Sequence, residues 1–223
     1  MIDKIIDIDK RKKIEKFFSL LKESKHNLIS SGTKRNFEVK HFEDIYIPID
    51  HISVGEKNID VGTGGGIPGV VLSIIFDESE WLLLDSISKK TNELETFIHQ
   101  LGLSNVSLVN ERVERFSENN RNSFDSVFFR AVARTDICLE YACPLVKNGG
   151  NIYIYKGPNF ISEKKYFENA CNLLGIEFIR KIEYTLSDDS SRNLLIFKKV
   201  SDSKIRLPRK VGLAKKRPIG EFL

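Results

Sequence analysis

The sequence predicts an α/β protein with a seven-stranded, mostly parallel sheet, helices on both faces, a C-terminal antiparallel hairpin and an N-terminal helical extension. Three observations predict it. From residue 58 onward, short apolar runs alternate with amphipathic stretches, the pattern of parallel strands joined by crossover helices. A glycine-rich turn, Asp60-Val61-Gly62-Thr63-Gly64-Gly65-Gly66-Ile67-Pro68-Gly69, separates the first strand from the first crossover helix. The last two runs are joined by Ser187-Asp188-Asp189-Ser190-Ser191, a turn-forming segment that pairs neighbouring strands as a hairpin.

In chain order, Ile14, Phe17, Phe18 and Leu21 recur at helical spacing, so residues 10–22 form an amphipathic helix that leads into a turn at Asn27-Leu28-Ile29-Ser30. A second helical stretch is expected over 39–52. Strands are expected at 58–61, 81–85, 106–110, 125–129, 151–156, 177–184 and 193–200. Helices are expected at 68–75, 88–101, 135–145 and 162–174, with only a short turn over 112–116. The chain divides into a helical extension (1–54), a sheet-bearing core (55–203) and a basic tail (204–223).

Bulk properties exclude several classes. No apolar run approaches the roughly 18 residues of a membrane span. The start, Met1-Ile2-Asp3-Lys4, carries charge and lacks the apolar stretch of a signal peptide. A cytoplasmic location with no membrane partner is expected. Cys138, Cys143 and Cys171 form no C-x-x-C pair, and His26, His41, His51 and His99 lack zinc-site spacing, so no metal is expected. Charge is uneven: residues 1–35 carry +5 and residues 204–223 carry +6, leaving −7 between them. Basic ends around an acidic middle suit a polyanionic partner, although solubility alone also accounts for lysine-rich termini.

The glycine turn marks a ligand crevice at the end of the first strand, because glycine lets backbone approach a nucleotide-like molecule. Asp60 selects among ligands. Its carboxylate repels a pyrophosphate placed at the turn and favours S-adenosyl-L-methionine, which brings a sulfonium and an ammonium. Gly62, Gly64 and Gly66 shape the turn. Asp85 ends the second strand about twenty residues on, where a carboxylate accepts from ribose hydroxyls; capping the following helix is its alternative role. After the third strand, the backbone at Val113 and the Glu114 carboxylate match the N1 acceptor and N6 donor of adenine.

With these residues assembled, the chain resembles the bacterial small-subunit rRNA guanine-N7 methyltransferase family, RsmG (GidB). The resemblance runs over nearly the whole length. It is carried by Asn27-Leu28, His41 with Asp44, the turn at residues 60–69, Asp85-Ser86 with Lys89-Lys90, Arg112-Val113-Glu114, Arg130-Ala131-Val132-Ala133, Lys156-Gly157 and Pro208-Arg209-Lys210 through Lys216. Ile45 and Val113 depart from the residues usual in the family. The resemblance implies a Rossmann-like class I methyltransferase fold and methyl transfer to N7 of a guanine in 16S rRNA, free or in a 30S subunit or assembly intermediate. It assigns donor binding to Gly62, Ile67, Val113, Glu114 and Arg130.

Guanine N7 carries an in-plane lone pair and needs no general base, so catalysis reduces to alignment and exclusion of water. Arg130, at the end of the fourth strand, is the leading catalytic candidate, since a guanidinium there clamps a carboxylate or a substrate oxygen; an ion pair with a nearby carboxylate is the alternative. Lys156 is the second, directed at RNA phosphate or guanine O6. Arg206, Arg209, Lys210, Lys215, Lys216 and Arg217 are expected to follow an RNA backbone. Cys138 and Cys143 read as buried structural thiols. Monomeric action is expected. The rival readings are an NAD(P)-dependent oxidoreductase, disfavoured by Asp60, a methyltransferase for a non-RNA substrate, and a non-catalytic RNA-binding protein.

Overall fold

The computed structural model describes residues 6–24, 28 and 39–221. Among these, seven strands form one sheet: β1 (Lys57–Val61), β2 (Glu80–Asp85), β3 (Val106–Asn110), β4 (Phe124–Arg130), β5 (Val146–Lys156), β6 (Ile176–Thr185) and β7 (Ser191–Lys199). Their order is β3-β2-β1-β4-β5-β7-β6. The first five strands pair in parallel. Strand β7 enters antiparallel between β5 and β6. The chain runs outward from β1 to β3 and then restarts at β4 on the other side of β1. That reversal opens a crevice above the C-terminal ends of β1 and β4, where open α/β sheets bind ligands.

Helices α1 (Ile8–Glu23), α3 (Gly69–Ile75) and α4 (Ser88–Leu101) pack on one face; α5 (Val113–Asn119), α6 (Thr135–Ala142) and α7 (Lys164–Leu174) pack on the other. Strand side chains alternate between the two cores as the period of two demands. Leu83, Phe128, Tyr153 and Tyr155 join the first core, whereas Leu84, Val127, Phe129, Ile152 and Ile154 join the second.

The expected strands differ from the observed ones by one or two residues at most ends. Strand β5 is the exception, beginning at Val146 rather than residue 151. The stretch 112–116, expected as a turn, is the start of helix α5, which the short apolar pattern hid. The second helical stretch breaks into a π turn over Val39–Glu43, one turn of α2 (Asp44–Tyr46) and a 3₁₀ turn over Ile49–His51. Pro48 separates the last two, because it has no N–H to continue the helical ladder. Of the expected turn at 27–30, only Leu28 lies within the described residues.

Both end segments, expected to flank the core, are packed into it. Ile14, Phe17, Phe18 and Leu21 of α1 are buried in the first core, and Leu207, Ala214 and Ile219 of the tail in the second. Helix α1 starts at Asp7, whose carboxylate accepts from Lys10 N–H (2.8 Å), and it lies over the glycine turn. A Cβ at Gly66 would stand 3.1 Å from Phe17 Cζ. Phe17→Ala is therefore expected to destabilise the protein by about 3–5 kcal/mol, read as a lowered midpoint in urea unfolding followed by circular dichroism.

Candidate active site

The glycine turn is held from below by Asp60. This carboxylate is fully buried, and its Oδ2 accepts from Thr63 Oγ1 (2.7 Å) and from Gly69 N–H (2.9 Å). Gly69 can be nothing larger, since a Cβ there would lie 2.3 Å from Leu83 Cδ2. Burial raises the Asp60 carboxyl from 3.8 to about 6, against the pull of those two hydrogen bonds. Asp60 was expected beside the ligand's cations. It lies instead beneath the turn, and its charge acts through the loop that it braces.

On the crevice side, Gly62 (φ 72°) and Gly64 (φ 58°) adopt the left-handed conformation that favours glycine. A Cβ at Gly62 would come within 2.8 Å of Val132 Cγ2, so the bare backbone keeps the crevice open. Asp85 Oδ2 accepts from Gly64 N–H (2.8 Å) and Oδ1 from Ile87 N–H (2.9 Å). It ties the turn to the approach of α4, with carboxylate lone pairs to spare. Gly66 and Ile67, expected at the ligand, face the core under α1 and α4 instead.

Two cavities open at these strand ends and meet at Val132. The first is lined by Gly62, Asp85, Ser86, Arg112, Val113, Tyr141 and Lys215. The second, of about 450 Å³, is lined by His41, Asp44, Arg130, Ala131, Ala133, Tyr155, Lys156 and Arg192. Ala131, between the cavities, takes a left-handed φ of 57°, an unusual conformation for a residue with a Cβ. It turns the chain so that residues 131–133 line both spaces.

Arg130 is the centre of an ion network. Its Nε donates to Asp44 Oδ2 (2.8 Å) and its second terminal nitrogen to the Lys40 carbonyl (2.8 Å). Asp44 also accepts from Tyr184 Oη (2.7 Å) and stands 3.8 Å from Arg192 Nε. Glu43 accepts from Ser187 N–H and Oγ, both at 2.8 Å. The 39–46 segment is thus clasped by the β6–β7 hairpin, a role for His41–Asp44 that the sequence leaves open. Burial, with Arg130 adding to it, lowers His41 to about 3, so the ring is neutral at pH 7.

Other residues expected at the chemistry hold the scaffold. Lys156 Nζ donates to the Ala133 carbonyl (2.9 Å) and Glu163 Oε2 (2.7 Å), and that same oxygen accepts from Thr135 N–H (2.7 Å) and Oγ1 (2.6 Å). Lys156 therefore braces the loop after β4 rather than reaching for phosphate. Glu114 Oε1 accepts from Gly212 N–H (2.8 Å), which fastens the tail to the first cavity. Arg209, expected on RNA, forms a two-pronged pair with Glu140 (2.7 and 2.5 Å) in which Glu140 is 4% exposed. Arg206, Lys210, Lys215, Lys216 and Arg217 remain exposed. Nothing in the linear pattern singles out Arg134, which pairs with Asp136 two residues on and with distant Glu221, and lies 4.0 Å from the Tyr166 ring centre. Burial pushes the thiols of Cys138 and Cys143 up to about 12 and about 11, so neither is a ready nucleophile.

The sheet order and the site at its switch point define a class I methyltransferase fold. TYW2 from M. jannaschii, solved in complex with AdoMet, matches 77% of this chain and 78% of its own at a TM-score of 0.55 and 14% identity, a likeness of fold. The family model for GidB, rRNA small subunit methyltransferase G, matches residues 10–194. The ribosomal RNA small subunit methyltransferase G of Petrotoga mobilis is 40% identical over 219 residues, covering 96% of this chain and 97% of that protein. Its namesake in Thermotoga maritima is 38% identical over 207 residues, covering 93% and 87%. The chain belongs to the rRNA small subunit methyltransferase G family.

Two outcomes are expected from this geometry. The Asp60 carboxyl titrates higher in the fold than in the unfolded chain, so its stabilisation is full below pH 3.8 and is lost as pH rises through about 6. Asp60→Asn keeps an acceptor but no charge. The stability of wild type relative to this variant should fall by on the order of 2–3 kcal/mol between pH 4 and pH 7, read from denaturant titrations. Arg209→Ala strands a buried carboxylate and should destabilise by about 3–5 kcal/mol in thermal unfolding. The donor-side cavity should loosen with it.

Proposed function

We propose that this chain, acting as a cytoplasmic monomer, transfers a methyl group from S-adenosyl-L-methionine to N7 of a guanine in 16S rRNA within the small ribosomal subunit or its assembly intermediate. The observation that carries this reading is the pair of adjoining cavities: a glycine-walled one lined by Asp85 and Val113, and a larger one lined by Arg130, meeting at Val132.

The residues of the first cavity fit the donor. Gly62 and Gly64 present bare backbone, Asp85 retains lone pairs for ribose hydroxyls, and beside Val113 the buried Glu114 Oε2 stands 3.6 Å from Arg112 Nε with no hydrogen bond of its own among the described residues. A pyrophosphate coenzyme here meets the Asp85 carboxylate in the cavity wall, with the buried Asp60 carboxylate behind the turn, which opposes the oxidoreductase reading. The donor supplies a methyl electrophile on sulfonium.

The chain's own part is alignment. The loop 131–133, fixed by Lys156 and by Glu163 through Thr135, forms the partition across which the guanine N7 lone pair faces the methyl group. Arg130, held by Asp44 and the Lys40 carbonyl, presents a fixed cation to substrate oxygens in the second cavity. His41, neutral, adds no competing charge. N7 needs no proton removed, and a site without an exposed base suits that chemistry. Exposed Lys210, Lys216 and Arg217 follow phosphate.

The decisive assay uses 30S subunits and naked 16S rRNA from a strain lacking this protein, with the N7-methylated guanine located by site-specific strand scission. One labelled guanine supports the reading; label on an exocyclic amine, or none, overturns it. Arg130→Ala should lose most of its turnover and also some stability, since among the described residues Asp44 then keeps only Arg192 as a charged partner. Replacing Lys210, Lys216 and Arg217 together with Ala should lower the log–log salt slope of RNA binding by about 2–3, with affinity for S-adenosylhomocysteine unchanged in calorimetry.

A further inference from the structure

Most polar groups around the two cavities are satisfied within the protein; Tyr155 Oη in the second cavity is an exception among the described residues, and one corner of the first cavity holds a cluster of them. Tyr141, on α6, lines the donor cavity with Arg112, Val113 and Gly62 and is 5% exposed. Its hydroxyl is buried without a hydrogen-bond partner among the described residues. Glu114 Oε2 and Arg112 Nε share that condition, and they stand 3.6 Å apart without a hydrogen bond between them. Folded proteins seldom leave such atoms unpaired, and each exception calls for a reason. Here three lie together, on α6, on α5 and on the residue just before α5. Burial, reinforced by the neighbouring Glu114 carboxylate, holds the phenol protonated, so the hydroxyl is available as a donor.

We infer that Tyr141 is a donor-binding residue that reads the adenine together with Glu114, an inference that rests on the donor assignment above. The N6 amino group of adenine donates and its flanking ring nitrogens accept. Glu114 Oε2 takes an N6 hydrogen, and the Tyr141 hydroxyl donates to a neighbouring ring nitrogen. Glu114 is fixed for this by Gly212 N–H on its other oxygen. A base with a carbonyl at C6 and a hydrogen on N1 reverses both contacts. Its carbonyl would face a carboxylate, and its N1–H would oblige the Tyr141 hydroxyl to accept, leaving the hydroxyl's own proton without an acceptor.

The assignment predicts effects of opposite sign from one substitution. Tyr141→Phe keeps the ring and removes the orphaned hydroxyl. Without ligand the variant should unfold at a temperature equal to wild type or higher by roughly 2–4 °C. Its affinity for S-adenosylhomocysteine in calorimetry should fall about tenfold, the scale of one lost buried hydrogen bond. The preference of wild type for S-adenosylhomocysteine over S-inosylhomocysteine should narrow in the variant. Unchanged affinity and unchanged preference would overturn the assignment. A lowered unfolding temperature without ligand would also overturn it, because the hydroxyl would then be serving the fold. Should wild type fail to bind S-adenosylhomocysteine at all, the donor reading itself fails, a result distinct from either of these.

Discussion

The buried carboxylate of Asp60 is the constraint on which the rest of the site depends. It lies one residue before the end of β1, is closed to solvent, and fastens both arms of the glycine turn, Thr63 on one side and Gly69 on the other. A charge in that position is costly, as its raised titration shows. The fold keeps it because no apolar side chain can accept from the Gly69 N–H at the start of α3. Once the turn is fixed, Gly64 N–H points at Asp85 and Gly62 backbone faces Val132. The positions of α3, the β2 end and the loop after β4 follow from that single bracket.

Both ends of the chain then close over this bracket. Helix α1 places Phe17 against the turn, and the 39–46 segment carries Asp44 to Arg130. From the other end, residues 204–221 run back along α6 and α7, with Arg209 on Glu140 and Gly212 on Glu114. The basic termini are therefore structural walls as well as carriers of surface charge. Their exposed cations sit on peptide that is itself hydrogen-bonded to Glu114 beside the glycine-walled cavity, so under the proposed function RNA and donor would meet one connected piece of protein.

What could be read from sequence alone was whatever depends on local pattern. Alternation of apolar runs gave the strands, and the glycine turn with Asp60 and Asp85 located the crevice. Arg130 was legible because it ends a strand beside that crevice. Long-range pairing was not legible. Nothing near Arg209 in the chain indicates Glu140, nothing near Lys156 foretells that its ammonium faces Glu163 and the Ala133 carbonyl, and Asp44 meets Arg130 across 86 positions. Those side chains looked like free cations in a linear reading, where a charge shows only its sign. Tyr141 was invisible for a related reason: a tyrosine within an apolar helix reads as core until its hydroxyl is found without a partner.

The balance between satisfied and unsatisfied groups separates scaffold from binding surface. Lys156, Arg134 and Arg209 have their charged heads engaged by the protein, and Asp60 is pinned through Oδ2, so all four are held rigidly. Rigid placement is what a reaction without acid or base catalysis requires, since its barrier is lowered by alignment rather than by proton transfer. Asp85 and Glu114 differ: both Asp85 oxygens accept one backbone N–H each and keep further lone pairs, and Glu114 gives Oε1 to the fold while Oε2, ion-paired with Arg112, has no hydrogen bond among the described residues. Asp85 lines the glycine-walled cavity, and Glu114 adjoins it next to the lining residue Val113. A pocket that holds its own frame by internal pairs and reserves unpaired acceptors for one corner is matched to a ligand that donates there, as the amino and hydroxyl groups of an adenosine do.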